Sequence, residues 1–175
     1  MENLNEILLV ACKNGEAEEV DELIQIGADV NCKGLFETPL LNAVRTGNSE
    51  IAQLLIKAGA NVNDQSFGTT AMIDAILFGY QRQLVGKEIL RNFKENYFDV
   101  LSLLLENGGD LMIKDAEGKN AVYHMVECGL VENLSELFMQ KGELSDDELN
   151  NTMDYYYENK LLHRNSDIRR ECLER

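Results

Sequence analysis

The sequence predicts an all-α solenoid of repeated helix–turn–helix units, and three observations predict it. The stretch Gly27-Ala28-Asp29-Val30-Asn31 returns as Gly59-Ala60-Asn61-Val62-Asn63, a step of 32 residues, and more weakly as Gly108-Gly109-Asp110-Leu111. A second marker, small residues followed by glycine, runs Ala11 to Gly15, Ala43 to Gly47 and Ala75 to Gly79, again at a step of 32. Between the markers lie two short stretches of helical periodicity per unit. Self-similarity at such a period is the mark of stacked repeats, in which each unit buries its apolar face on its neighbours.

Each element follows from its own pattern. The first helix of a unit carries Leu8 and Ala11, Leu40 and Ala43, or Met72 and Ala75, at the i, i+3 spacing of one helix face. The second reads Ile51, Leu54 and Leu55, then Val100, Leu103 and Leu104, then Leu134, Leu137 and Phe138, a narrow apolar stripe each time. Gly27, Gly59, Gly108 and Gly142 follow the second helices, where a left-handed carboxyl-terminal cap belongs. A short extended segment and a turn come next. The units are therefore expected at about 1–33, 34–65, 66–115 and 116–144, stacked as a single domain over 1–175.

A terminal unit needs a polar outer side. Where unit two has Ile51 and Leu54, unit one has Glu19 and Glu22, with Glu16, Glu18 and Asp21 beside them. They read as the outer wall of an amino-terminal cap, and the competing reading is an acidic docking patch. At the other end, Ser145 and Glu148 have the spacing of a capping box. Leu149, Met153, Tyr156, Tyr157 and Leu161 suit an amphipathic helix after it, and 166–173 a shorter one, so that 145–175 forms a degenerate helical cap.

Unit three is longer than its neighbours. From Gly79 to Gly108 is 29 residues, against 12 from Gly47 to Gly59, which leaves an insertion of 17 over about 80–96. Leu84, Val85, Ile89, Leu90 and Phe93 keep a helical period there, with Arg82, Lys87, Arg91 and Lys94 between them. The expectation is a lengthened helix pair or an extra helix, either shielding its own apolar stripe or serving as a binding element.

The residues Thr38-Pro39-Leu40 and the glycine-alanine-aspartate-valine-asparagine close resemble the ankyrin repeat. Thr70-Ala71-Met72 and Asn120-Ala121-Val122 are weaker versions of the opening, and Leu9, Leu41, Ile73 and Tyr123 stand where the family usually has histidine. The resemblance implies an ankyrin-repeat solenoid of about four units, without catalytic activity, that holds a protein partner across its turn tips and concave face. Carried over position by position, the tips are 33–37, 65–69 and 115–119. Leu35, Phe36, Phe67, Leu77 and Phe78 are apolar where polar residues are the rule, and with Arg45 beside them they are the expected partner-binding residues. Phe36 also stands where the family usually has glycine, so its turn must take another geometry or tolerate a side chain.

Composition narrows the function further. Of 175 residues, 45% are hydrophobic and 27% charged, an ordinary globular balance. Sixteen Lys and Arg against 31 Asp and Glu give a net charge of -15, which repels phosphate backbones and anionic lipids, so no nucleic-acid or membrane partner is expected. A basic protein partner suits that acidity. Such a partner could be an enzyme that the chain inhibits, or a host protein on which it acts as an adaptor. No apolar run approaches a membrane span, and the start, Met1 to Glu6, is unlike a signal peptide, which together suggest a cytoplasmic protein.

No constellation points to catalysis, a metal or a cofactor. His124 and His163 are 39 residues apart, and no phosphate-cradling or zinc-protease motif occurs. Cys12, Cys32, Cys128 and Cys172 form no CxxC pair and read as reduced thiols. Asn42 and Asp74 occupy equivalent positions on neighbouring first helices; they either brace turns or line the concave face.

Overall fold

The computed structural model describes residues 3–83, 90–128, 130, 145–147, 150, 151, 153, 154, 157 and 158, and for 81–83 and 90–96 the backbone alone. The chain forms two compact units, 1–121 and 122–175.

Six helices build the first unit in pairs: α1 (Leu4–Asn14) and α2 (Ala17–Gln25), α3 (Pro39–Thr46) and α4 (Ser49–Lys57), α5 (Ala71–Gln83) and α6 (Leu90–Glu106). Within each pair the helices pack on each other. Along the stack α1 packs on α3 and α3 on α5, while α2 packs on α4 and α4 on α6. First helices thus make one layer and second helices the other, with Leu8, Val20, Ile51, Leu55, Ile76 and Leu104 fully buried between them.

Local chemistry sets the helix ends. The Thr38 hydroxyl accepts from the Leu41 amide at 3.2 Å, and Pro39, which has no amide hydrogen to lose, opens α3. The Thr70 hydroxyl plays the same part for Ile73 at 3.3 Å, and the Asn48 side chain for Ile51 at 3.0 Å. After α2, α4 and α6 the chain turns through Gly27, Gly59 and Gly108, each with positive φ. Bonds from Ala28 to Leu23 (2.9 Å), Ala60 to Leu55 (2.9 Å) and Gly109 to Leu104 (2.8 Å) close each end as a Schellman motif.

The recurring asparagine has a reason that only the fold displays. Asn31 donates to the Gly59 carbonyl at 3.0 Å and accepts from the Asn61 amide at 2.8 Å. One unit on, Asn63 donates to the Gly108 carbonyl at 2.8 Å and accepts from the Asp110 amide at 2.9 Å. Each asparagine therefore satisfies one acceptor and one donor of the next unit, at the turn where backbone groups have no helical partner. Asn5 begins the ladder by accepting from the Asp29 amide at 2.9 Å. In the third unit Met112 holds the equivalent position, and its sulfur accepts from the Asn120 side chain at 3.4 Å.

Residues 80–83 and 90–96 of the insertion lie in α5 and α6, helices of 13 and 17 residues where α3 and α4 have 8 and 9. Residues 84–89, and the side chains of Arg82, Lys87, Arg91 and Lys94, lie outside what is described. Because α6 begins early, Tyr97 takes the register that the cap Asn48 has in unit two. A Cβ on Gly15 would meet Asn48 at 3.6 Å, whereas one on Gly47 would meet the Tyr97 ring at 2.8 Å and one on Gly79 would meet it at 3.3 Å. Tyr97 is buried in the space that these two glycines leave, and its hydroxyl donates to the Arg45 carbonyl at 2.8 Å.

Of the second unit, α7 (Ala121–Glu127, which begins one residue before the unit does) has Val122, Met125 and Val126 buried. Leu130, buried too, closes its end by donating to the Met125 carbonyl at 2.9 Å. His124 is buried, with Nδ1 3.4 Å from Glu127. Gly142, the second-helix stripe of Leu134, Leu137 and Phe138, Glu148 of the capping box and most of the 145–175 cap lie outside the described residues. Among the described residues no helix is long and apolar enough to cross a membrane.

Candidate partner-binding site

Arg45, in the last turn of α3, is the centre of the site. Its Nε donates to Asp74 on α5 at 2.7 Å, its Nη1 donates to the Phe36 carbonyl at 3.2 Å, and its guanidinium lies 5.6 Å from the centre of the Phe78 ring. A planar guanidinium can donate in its plane to a carboxylate and a carbonyl while its face is turned to an aromatic ring. Asp74 is buried, and its other oxygen accepts from the Thr69 hydroxyl at 2.8 Å. The buried charge is thereby paired and hydrogen-bonded, as burial requires. Asn42, one unit earlier, is buried as well and donates to the Leu9 carbonyl at 3.0 Å. Asn42 and Asp74 therefore brace the structure. Val10, the next residue in that register, is exposed.

Of the apolar residues expected at the site, Leu35 and Phe36 stand out into solvent, 87% and 77% exposed. Phe67, Leu77 and Phe78 are half-buried, as is Arg45. The structure joins Phe36, Arg45 and Phe78 directly. With each tip numbered by the unit it opens, tip two is 33–37, tip three 65–69 and tip four 115–119; Phe67 precedes Thr69 by two residues on tip three, and Leu77 precedes Phe78 on α5.

Tip two differs from tips three and four in backbone as well as sequence. Gly68 and Gly118 have φ of 71° and 80°, in the left-handed region, whereas no non-glycine residue among those described has positive φ. Phe36, in the same register, therefore bends its turn another way, closed by a bond from the Gly34 amide to the Glu37 carbonyl at 2.9 Å. Beside Leu35 lies a groove of about 640 Å³ whose walls include Asn3, Asn5, Leu9, Asp29 and Cys32.

The thiols of Cys12, Cys32 and Cys128 are poor nucleophiles, and Cys172 lies outside the described residues. Burial pushes Cys12 up to about 12, and burial with Glu127 nearby pushes Cys128 up to about 11. Cys32 rises to about 11 through burial and the charge of Asp29. All three stay protonated near neutral pH. On α2, Glu19 is raised by its hydrogen bond to Glu16, and the charges of Glu16 and Glu22 add to the effect.

The model of the ankyrin repeat, in three copies, matches residues 8–91. These are ankyrin repeats. No curated protein matches the chain at a significant level. The match runs from within α1 to the first turn of α6 and includes tips two and three, so Leu35, Phe36, Arg45, Phe67, Leu77 and Phe78 all lie within it. Ankyrin repeats are protein-interaction modules, typically without catalytic activity. Sequence reasoning missed Tyr97, which holds the Arg45 carbonyl. The signal was its register: it falls at the position of Asn48, facing the glycine of the preceding unit.

Proposed function

We propose that this protein is a non-catalytic ankyrin-repeat module that holds a protein partner on tips two and three and the exposed side of α3 and α5. Leu35, Phe36, Arg45, Phe67, Leu77 and Phe78 form the contact surface. The observation that carries this reading is the adjacent pair Leu35 and Phe36, 87% and 77% exposed at a turn tip. Exposed apolar anchors of this kind lose water on contact and are typical of binding sites.

The net charge of -15 favours a basic partner, since an opposite field speeds encounter. A basic enzyme that the protein inhibits fits this description. A host protein for which it serves as an adaptor fits it too. The test is affinity capture from the native cell, with wild type run beside a Phe36→Ala, Phe67→Ala, Phe78→Ala variant whose folding is checked by circular dichroism. One protein held by wild type and lost from the folded variant is the expected result. Unchanged capture moves the contact surface elsewhere on the molecule. If the captured protein is an enzyme, its activity with the module in excess separates inhibition from adaptor binding.

A further inference from the structure

Tips three and four lie side by side and bond to each other. The Gly68 carbonyl accepts from the Ala116 amide at 2.9 Å, and Gln65 donates to the Lys114 carbonyl at 3.0 Å. Tip two has no such neighbour on the side of unit one among the described residues, because α1 starts at Leu4 directly from its cap Asn3. What lies there is the groove of about 640 Å³, between the start of α1 (Asn3, Asn5 and Glu6) and the stretch 29–35.

That stretch has backbone to offer. The Cys32 amide is used internally, bonded to the Asp29 carbonyl at 3.0 Å, as is the Gly34 amide, bonded to the Glu37 carbonyl at 2.9 Å. Among the described residues nothing bonds the amide or the carbonyl of Lys33 or of Leu35, and both residues are exposed. Open backbone donors and acceptors of this kind pair with another chain laid along them.

The side chains set what that chain can be. Leu9 lines the groove and Leu35 stands at its edge, 87% exposed, so an aliphatic side chain has apolar surface to cover. Glu6 and Asp29 are exposed on the walls, and the Glu37 carboxylate lies 3.4 Å from where a Cβ on Gly34 would be. Against these three carboxylates stands Lys33, since Arg45 is taken up by Asp74 at 2.7 Å. The groove is net negative, and a Lys or Arg on its occupant complements it.

We infer that this groove of unit one takes a short extended segment of the protein partner, its backbone paired with Lys33 and Leu35, an aliphatic side chain against Leu9 and Leu35, and a neighbouring Lys or Arg facing Glu6 and Asp29. This rests on the protein-binding reading and deepens it. The contact reaches past tips two and three onto the start of α1, and the element recognised is a linear, basic one.

The test is selection of a displayed library of short random peptides on the full-length protein, and the probe is the most enriched peptide, made synthetically. It is expected to carry an aliphatic residue with Lys or Arg close by. Its affinity should fall at least about tenfold on a Leu35→Ser variant and about three- to tenfold on a Glu6→Gln, Asp29→Asn variant, which keeps the acceptor that Asp29 offers the Asn31 amide. Circular dichroism checks the fold of both. Added salt should weaken binding, and hydrogen exchange at the Lys33 and Leu35 amides should slow in the complex. An enriched peptide that is acidic or uncharged, or that binds the Glu6→Gln, Asp29→Asn variant as well as wild type, overturns the inference. So does one that leaves exchange at Lys33 and Leu35 unchanged. A library that enriches nothing overturns it too, because a linear segment is what the groove is inferred to hold; protein binding as such is decided separately, by the affinity capture with the Phe36, Phe67 and Phe78 variant.

Discussion

Tips two and three occupy the same place in successive repeats and are used in opposite ways. Tip three turns through Gly68 and docks on its neighbour: the Gly68 carbonyl accepts from the Ala116 amide at 2.9 Å, and Gln65 donates to the Lys114 carbonyl at 3.0 Å. Tip two has Phe36 in that register, bends without a left-handed residue, and leaves Leu35 and Phe36 in solvent. The first is an element of the stack. The second projects from the stack and is braced from behind by Arg45. Phe36 in a glycine register thus goes with a presented turn, braced by Arg45 of the same unit.

That view is broken most severely from underneath. Tyr97→Ala empties the space between Gly47 and Gly79 and frees the Arg45 carbonyl, with an expected loss of about 3–5 kcal/mol in global stability by urea denaturation. Tyr97→Phe removes only the hydroxyl and should lose about 1 kcal/mol. If the two variants lose equal amounts, ring packing is not what holds unit three on unit two.

Next in size is Arg45→Ala, which leaves Asp74 buried with Thr69 alone. Loss of a charged hydrogen-bonding partner there is expected to cost about 1.5–3 kcal/mol. It should also speed amide hydrogen exchange at Phe36 and Glu37 more than at Thr69, which tip three's own docking protects. Equal acceleration at both tips would mean that Arg45 does not brace tip two specifically.

The tips themselves supply a sharper contrast. Gly68→Ala forces a side chain into a φ of 71° and brings its Cβ within 3.0 Å of Ala116, so about 1–2 kcal/mol of destabilisation is expected. Phe36→Ala alters an exposed side chain and should stay within about 0.5 kcal/mol of wild type. Thermal unfolding of the two variants checks whether stability and presentation are divided between the tips in this way.

What could be read in advance follows from how far each interaction reaches. The caps at Gly27, Gly59 and Gly108 were legible because a left-handed turn after an amphipathic helix is a local matter of backbone sterics. So was the problem posed by Phe36 in a glycine register. The asparagine ladder was visible as a repeated letter but not as a mechanism, since Asn31 acts on Gly59 and Asn61, a full unit away. The half-burial of Leu77 and Phe78 was not legible. Arg45 over the Phe78 ring, and Tyr97 placed by an early start of α6, come from two other elements.

The smallest expected effect lies on α2, in the second-helix layer, and tests whether its glutamates act by charge alone. Glu19 is exposed, and its hydrogen bond to Glu16 and the charges around it raise it above the ordinary glutamate value of 4.5. A carboxyl held higher in the folded chain than in the unfolded one binds its proton more tightly when folded. Its contribution to stability is therefore complete below about pH 4.5 and disappears as pH rises through the folded value. At neutral pH the ionised pair Glu16 and Glu19 is mutually repulsive. Glu19→Gln should accordingly melt slightly higher than wild type at pH 7, with the gap closing or reversing near pH 4.5. A gap that is the same at both values would show that Glu19 matters through helix propensity and not through its charge.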